Sequence, residues 1–469
     1  MKLIPVNKWG DTAIRFRKSE RITNKPWFQG VLLLCCVVVA MLLANLPFTK
    51  ELYKDFLSTT IGLFASTPEG RFSFLYPGDM TVEKFINDIL MTLFFFTVGL
   101  EIKREIEYGE LSSRKKAALP IIAAFGGVIC PALIFTVINH GTAASSGWGI
   151  PTATDIAFAV CILTVLGNKV PVSLKVFLTA LAIADDLIAI LVVAIFYGGH
   201  INLILLACSA VVIGIAVLIR KLGEKRGWPY ILLALVLWAL FYYSGIHATM
   251  SGVVMAFLIP ATPRFNKTYF DNKWKMLNEK LKEYDGFEGD KIFPSGPQRH
   301  YLREIQRLSE GTVSMSYKVE RVLSPWVNFI IMPIFALANA GVELSAEGFL
   351  NGFSFDPEMG SVGLGIALGL ILGKPIGITL TSFIAIKCKI GEMPAKASWP
   401  MFFAVACLGG IGFTMSIFVD TLSFGDQIPA ITETMRAGGK VAVLLGSICA
   451  GILGSLLVNL VYKIEHKSN

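Results

Sequence analysis

Charge is what this sequence has least of. Acidic and basic residues fill 16% of its 469 positions, where soluble domains carry about a quarter. Hydrophobic residues make up 54%, and the mean hydropathy is +0.63. Together with the long apolar runs, this excludes an ordinary soluble fold. A bilayer core about 30 Å thick is crossed by roughly 20 apolar residues in a helix. CxxC pairs are missing too. Cys35, Cys36, Cys130, Cys161, Cys208, Cys388, Cys407 and Cys449 lie mostly in apolar runs. They read as small polarizable packing residues rather than disulfides or metal ligands. No small-residue cleavage motif follows the run from Trp27 to Leu46, so that run is expected to be a first span rather than a signal peptide.

What is present is a series of apolar segments. Twelve spans are expected, at 27–47, 84–101, 117–139, 148–166, 174–197, 201–220, 229–244, 246–261, 324–342, 361–386, 398–419 and 437–462. The predicted fold class is an all-α polytopic membrane protein, because a backbone in lipid must satisfy its own polar groups. The net charge of +8 does not point to nucleic acid. Bases such as Lys8, Arg15, Lys103, Arg114, Lys169, Arg220, Lys221 and Lys387 collect in alternate loops and at both ends. The opposite loops hold Glu343, Glu347, Asp356, Glu358, Asp420, Asp426 and Glu433. This positive-inside asymmetry places both termini in the cytoplasm. The expected organisation is a cytoplasmic segment 1–26, spans one to eight over 27–261 and a polar cytoplasmic insert at 262–323. Spans nine to twelve follow over 324–462, then a tail at 463–469. In the insert, WKMLNEKLKEY and HYLREIQRLSE read as short amphipathic helices. The segment 58–82 alternates weakly around TPEG and predicts an external hairpin.

The stretch LTALAIADDLIAILVVAIFY places Asp185 and Asp186 at the centre of span five. A carboxylate there costs about 2.5–3.5 kcal/mol to insert. Function is therefore the default reading, with a buried structural ion-pair network as the plainer one. Adjacent helical residues point about 100° apart, so one carboxylate can face a water-filled cavity while the other leans on a neighbouring helix. Like charges this close raise one pKa. The pair suits a small cation when ionised and protons when not. Lys374, mid-span in GLGIALGLILGKPIGITL, is the obvious counter-charge. Gly365, Gly369, Gly373 and Gly377 leave one face of that helix bare for close approach. In span four, Gly147, Gly149 and Pro151 disfavour regular helix just before Thr154 and Asp155. In span eleven, Gly409, Gly410 and Gly412 do the same. Interrupted helices expose charged ends. Asp155 is placed to balance positive ends, and Lys374 can serve negative ones. Spans three to five (117–197) and ten to twelve (361–462) run in opposite senses, each with its broken span second, as in a transporter built from inverted repeats. Softer candidates are Asp88 and Glu101 flanking span two, His247 in SGIHATMSG, and Glu320 in VERVLSPW. For Asp88 and Glu101 the plainer reading is structural, with a cytoplasmic cation funnel as the alternative for Glu101; for His247 and Glu320 a structural role competes with a pH-sensing one.

The motifs PTATDIAFAV, LAIADDLIAI, FFFTVGLEIKREI, GIHATMSGV, ANAGV, GKPIGI and GGIGFTMSIF resemble the NhaA sodium/proton antiporter family, and they occur in family order. That family is built on paired interrupted helices in inverted repeats. The resemblance implies an NhaA-type fold with twelve transmembrane helices, two inverted three-helix repeats and two discontinuous crossing helices. It implies Asp186 as main cation ligand, Asp185 as a coupled proton site paired with Lys374, and Thr154 and Asp155 at the helix crossing. Glu101, Arg104, His247 and Glu320 match positions implicated in the family's pH response. A homodimer joined partly by an external hairpin fits 58–82. The insert at 262–318 is longer than the family's common linker, and Arg321 and Ser324 lie where some members carry histidines. The expected activity is electrogenic export of Na⁺, and of Li⁺, for H⁺ across the bacterial inner membrane by alternating access. The expected partners are monovalent cations and membrane lipid, with no nucleic acid and no cofactor. A Na⁺-coupled solute symporter is the rival, but no Arg or aromatic–polar cluster forms a roomy site. An intramembrane aspartyl protease needs two carboxylates facing one bond, and neighbours on one helix diverge too far. A metal-dependent DDxxD enzyme is disfavoured because LIAI follows Asp186.

Overall fold

The computed structural model describes residues 26–61, 64–67, 70–73, 80–199, 201–224, 226–283, 296–343, 353–354, 360–424 and 429–467. The expected segment 1–26, apart from its last residue, lies outside them. So do the turn residues 68–69 and the acids Glu347, Asp356, Glu358 and Asp426. In chain order the elements are α1 (Pro26–Asn45), α2 (Lys50–Ser58), β1 (Phe64–Thr67), β2 (Gly70–Ser73), α3 (Val82–Tyr108), α4 (Arg114–Ile138), a 3₁₀ segment (Ala143–Thr152), α5 (Ile156–Leu166) and α6 (Val172–Phe196). They continue as α7 (Leu203–Lys221), α8 (Gly227–Ser244), α9 (Met250–Leu258), α10 (Lys267–Glu283), α11 (Gly296–Thr312), α12 (Met315–Asn339), α13 (Val362–Lys387), α14 (Trp399–Leu408), α15 (Phe413–Ser423) and α16 (Pro429–Lys467).

Among the described residues, nine helices are long and apolar enough to cross a membrane. Two bent pairs raise the number to eleven. The expected eighth span, 246–261, is shorter than predicted. Gly245 takes a left-handed φ of 84° and ends α8, as glycine does past a helix C-terminus. The chain then turns through His247 and starts the nine-residue α9 only at Met250. Such a helix rises about 14 Å, half of a bilayer core. The hairpin expected at 58–82 is present: β1 and β2 pair antiparallel with Phe64 opposite Ser73, and a bridge from Thr60 to Thr81 closes the base. Beside it, Tyr53 Oη on α2 donates to Leu337 O at 2.6 Å. Lys50 and Lys54, the latter 3.3 Å away, hold the Glu343 carboxyl below the ordinary glutamate range.

Contacts group the chain into two units. One comprises Met1–Met91, Glu105–Gly199 and Val327–Asn469; the other comprises Thr92–Arg104 and His200–Trp326. In the first, the bare face of α13 lies on α4. A side chain at Gly365 would strike Phe135 and Asn139, at Gly373 it would strike Pro131, and at Gly377 it would strike the carbonyl of Gly126; at Gly369 it would strike Pro151 of the 3₁₀ segment. The same glycine repeat that weakens α13 as an isolated helix thus brings two backbones together. An apolar core of Leu119, Ala123, Leu163, Phe177, Leu181, Phe402, Val405 and Leu408 surrounds this crossing.

Among the described residues three turns of the long helices are π-helical, Ile86–Leu90 in α3 and two that sit just before a proline: Val327–Ile331 before Pro333, and Gly369–Gly373 before Pro375. Proline supplies no N–H to the carbonyl four residues back and crowds it, and the wider turn absorbs that clash.

In the second unit, Tyr230, Leu237 and Phe241 of α8 pack with Met255, Leu258 and Ile259 around α9. Lys103, expected in a basic loop, is instead inside α3 and buried. Its ammonium donates to the carbonyls of Phe257 (2.9 Å) and Ile259. It therefore caps the negative end of α9. The insert forms a helix pair, α10 and α11. The Gly311 carbonyl accepts from the N–H groups of Arg264 (2.9 Å) and Phe265 (3.0 Å). Outward apolar residues such as Ile204, Val211 and Leu235 are exposed, as lipid-facing positions are.

Replacing Gly377 with alanine should lower stability by about 1–3 kcal/mol, the usual cost of overpacking a filled contact. The readout is the midpoint of SDS-induced unfolding in micelles. An unchanged midpoint would show that α4 and α13 part there without cost.

Candidate functional site

Both bent pairs break where the sequence loads glycine or proline. Ala143–Thr152 and the helical stretch from Ile156 meet at 41°, and α14 and α15 meet at 52°. The breaks lie against each other. The Asp155 N–H donates to Ile411 O at 2.7 Å, and Thr154 Oγ1 lies 3.0 Å from Gly409 O. Such an approach needs bare backbone. A side chain at Gly410 would strike the Leu370 carbonyl, and one at Gly412 would strike Ala153 O.

Asp155 serves the positive ends, as its position in the sequence suggested. Its Oδ1 accepts from Ala157 N (3.0 Å) and Phe158 N (3.4 Å) at the start of α5. Its Oδ2 accepts from Thr414 N (3.1 Å) and the Thr414 hydroxyl at the start of α15. One buried carboxylate thus caps two half-helices, where N–H groups point outward and the dipole favours negative charge.

The other pole is positive. Lys374 has no exposed surface, and its Nζ donates to Asp185 Oδ2 at 2.6 Å. It also donates to the Thr154 hydroxyl, which in turn donates to Asp185 Oδ2. Lys374 reaches the broken helix end at Gly409 through Thr154 rather than directly. Asp185 Oδ1 is buried and accepts no hydrogen bond from any described residue. Asp186, the next residue of α6, is buried as well and lies within Coulombic reach of Lys374. A buried pair of this kind returns its desolvation cost only if the remaining lone pairs are met. The open oxygen on Asp185 therefore marks an acceptor with capacity to spare.

The structure thus brings Thr154, Asp155, Asp185, Asp186 and Lys374 to one crossing, framed by Pro151, Gly409, Gly410 and Gly412. Glu101, Arg104 and Glu320 form a separate cluster in the second unit. Arg104 donates to Glu320 and lies 3.8 Å from Glu101. His247 is not part of it. A side chain at Gly252 would strike the Thr92 carbonyl, while Lys103 reaches Ile259. That register carries His247 toward the opposite end of α3 from Arg104.

Two residues were missed. Thr414 was visible only as a hydroxyl one position past the head of a broken helix. Asp420, expected in an external loop, lies inside α15 with no exposed surface. Its neighbours Thr421 and Ser423 made the helix end look like a loop.

The family model for Na⁺/H⁺ antiporter 1 matches residues 20–458. A Helicobacter hepaticus protein named Na⁺/H⁺ antiporter NhaA 2 is 41% identical over 443 residues, 94% of this chain and 95% of the relative. Wolinella succinogenes NhaA is 39% identical over 94% of the chain and 92% of the relative. Bacteroides thetaiotaomicron NhaA is 38% identical over 96% and 99%. With the model spanning nearly the whole chain and relatives matched end to end, this chain belongs to the Na⁺/H⁺ antiporter 1 family, that of the NhaA antiporters.

Proposed function

We propose that this chain exchanges Na⁺ for H⁺ as a multi-pass protein of the bacterial inner membrane, with Li⁺ as a second cargo. The observation that carries the reading is the buried Lys374–Asp185–Thr154 trio with Asp186 beside it, placed where two helices are interrupted. A carboxylate buried there must be neutralised by a cation or a proton. Asp185 has Lys374. Asp186, turned about 100° from it, is the carboxylate assigned to the cargo ion. The open Asp185 Oδ1 and the Thr154 oxygen are hard donors of the kind an alkali ion takes.

Na⁺ entering the site competes with the ammonium of Lys374 for Asp185 and with protons for Asp186. Because one set of oxygens serves both cargoes, loading one unloads the other. If Lys374, displaced from Asp185 by Na⁺, gives up its proton as Asp186 gives up its own, two protons leave for one Na⁺, each cycle moves net charge, and the exchange is electrogenic. Asp155, holding two half-helices together, keeps the crossing intact. The inverted triplets 117–197 and 361–462 then expose it alternately to each side by rocking against the remaining spans. The loop charges support cytoplasmic termini. We assign the hairpin β1–β2 to a homodimer contact, and Glu101, Arg104, Glu320 and His247 to the pH response.

Asp186→Asn should reduce Na⁺- and Li⁺-induced dequenching of a pH gradient in vesicles to background; a retained response would refute the assignment. In proteoliposomes the native rate should respond to an imposed membrane potential, and indifference to it would rule out net charge movement. Asp155→Ala should leave buried donors unmet at about 1–3 kcal/mol each, lowering the thermal midpoint in detergent. Asp155→Asn, which keeps an acceptor oxygen, should lower it less. Equal midpoints for all three proteins would remove Asp155 from this role.

A further inference from the structure

Asp420 belongs to none of the groups assigned above. It stands seven residues beyond Phe413 on α15, about 10 Å along the axis from the helix crossing, and it is wholly buried. Neither carboxylate oxygen accepts a hydrogen bond from any described residue. The carboxylate rests on the bare Cα of Gly439 in α16, where any side chain would collide with Oδ1. Arg436 and Lys440 of the same helix lie within Coulombic reach. Yet Arg436 directs Nη2 to the carbonyls of Thr421 (3.0 Å) and Phe424 (3.1 Å), and its Nε is buried with no partner among the described residues. From α6, Tyr197 also faces the site. Its hydroxyl donates to Ser146 O at 2.9 Å and accepts from Gly149 N at 3.0 Å. The other segments packed closely on α15, Ala143–Thr152 and Met332–Asn339, carry no ionisable side chain. One turn inward from Asp420, on the same face, the Ser416 hydroxyl is likewise buried and unmatched. A side chain at Gly412, in the break itself, would strike that hydroxyl.

An ionised carboxylate without a single hydrogen bond is an expensive state to bury. Neutralisation by a metal cation is disfavoured here, because Arg436 and Lys440 would repel it. A proton removes the charge without adding a cation, and once it leaves, the Arg436 Nε–H can donate to the carboxylate. We propose that Asp420 is a second proton-binding carboxylate, selective for H⁺ over Na⁺. It passes protons along the Ser416 face of α15 between the solvent and the helix crossing. This rests on the exchange proposed above, and on the loop-charge orientation that makes it the external, proton-entry side. Proton binding itself depends on neither.

Carbodiimides add to protonated carboxyls buried in membranes, so labelling of the native full-length protein followed by peptide mass spectrometry reads the site directly. Asp420 should be labelled at acid pH, lose the label as pH rises, and show no protection by Na⁺, whereas Na⁺ should protect Asp186. In vesicles, Asp420→Asn should slow Na⁺-driven proton movement several-fold where external protons are scarce, with the KM for Na⁺ unchanged. Asp420 staying unlabelled at every pH while a core carboxylate labels would show a permanent ion pair with Arg436 or Lys440 and overturn the proposal. So would Na⁺ protection of Asp420. A native protein that labels at Asp420 but moves no protons on Na⁺ addition would instead count against the exchange reading and leave the proton site standing.

Discussion

A backbone in lipid cannot leave its polar groups unmet, and this chain breaks two helices where that rule applies most strictly. Everything at the site follows from how the break is repaired. Asp155 takes the N–H groups at the head of α5 and of α15, and the two chains hydrogen-bond directly from Asp155 to Ile411. At the opposite end of α14, the Thr154 hydroxyl lies 3.0 Å from the Gly409 carbonyl, and the Lys374 ammonium donates to that hydroxyl. Charges that an unbroken bundle would have no reason to bury are present because helix ends are present. Once present, they make a polar point in an apolar core.

Lys374 and Asp185 then set the terms for any ion that arrives. The pair is buried and close, so its attraction is little screened, and separating it requires a replacement of like charge. Asp186 adds a second negative group within reach of the same ammonium. A site with one fixed cation and two carboxylates is one charge short of neutrality, and small cations and protons are the species that fit without enlarging it.

Much of this was legible because burying charge is so costly that few residues are candidates. Asp155, Asp185, Asp186 and Lys374 stood out as the ionisable groups deep in apolar runs, and clustered glycines and Pro151 marked the breaks. Less legible were features whose signal is shared with ordinary surface. Lys103 read as one base among several beside span two, since nothing local says that it turns inward to cap α9. Asp420 read as loop because polar neighbours surround it and α15 starts late, after the glycines. Thr414 is one hydroxyl among many. The short α9 was hidden because 246–261 is apolar enough to span, and only the left-handed Gly245 and the turn after it shorten the helix.

The wide turn at Gly369–Gly373 has a consequence for Lys374, which follows it at once. Tightening that loop of backbone to the usual pitch would shift register by one residue and swing everything beyond it by about 100°. The ammonium would be carried sideways off its carboxylate without any bending of α13. A helix that stores one residue of slack directly behind its charged group can act as a ratchet.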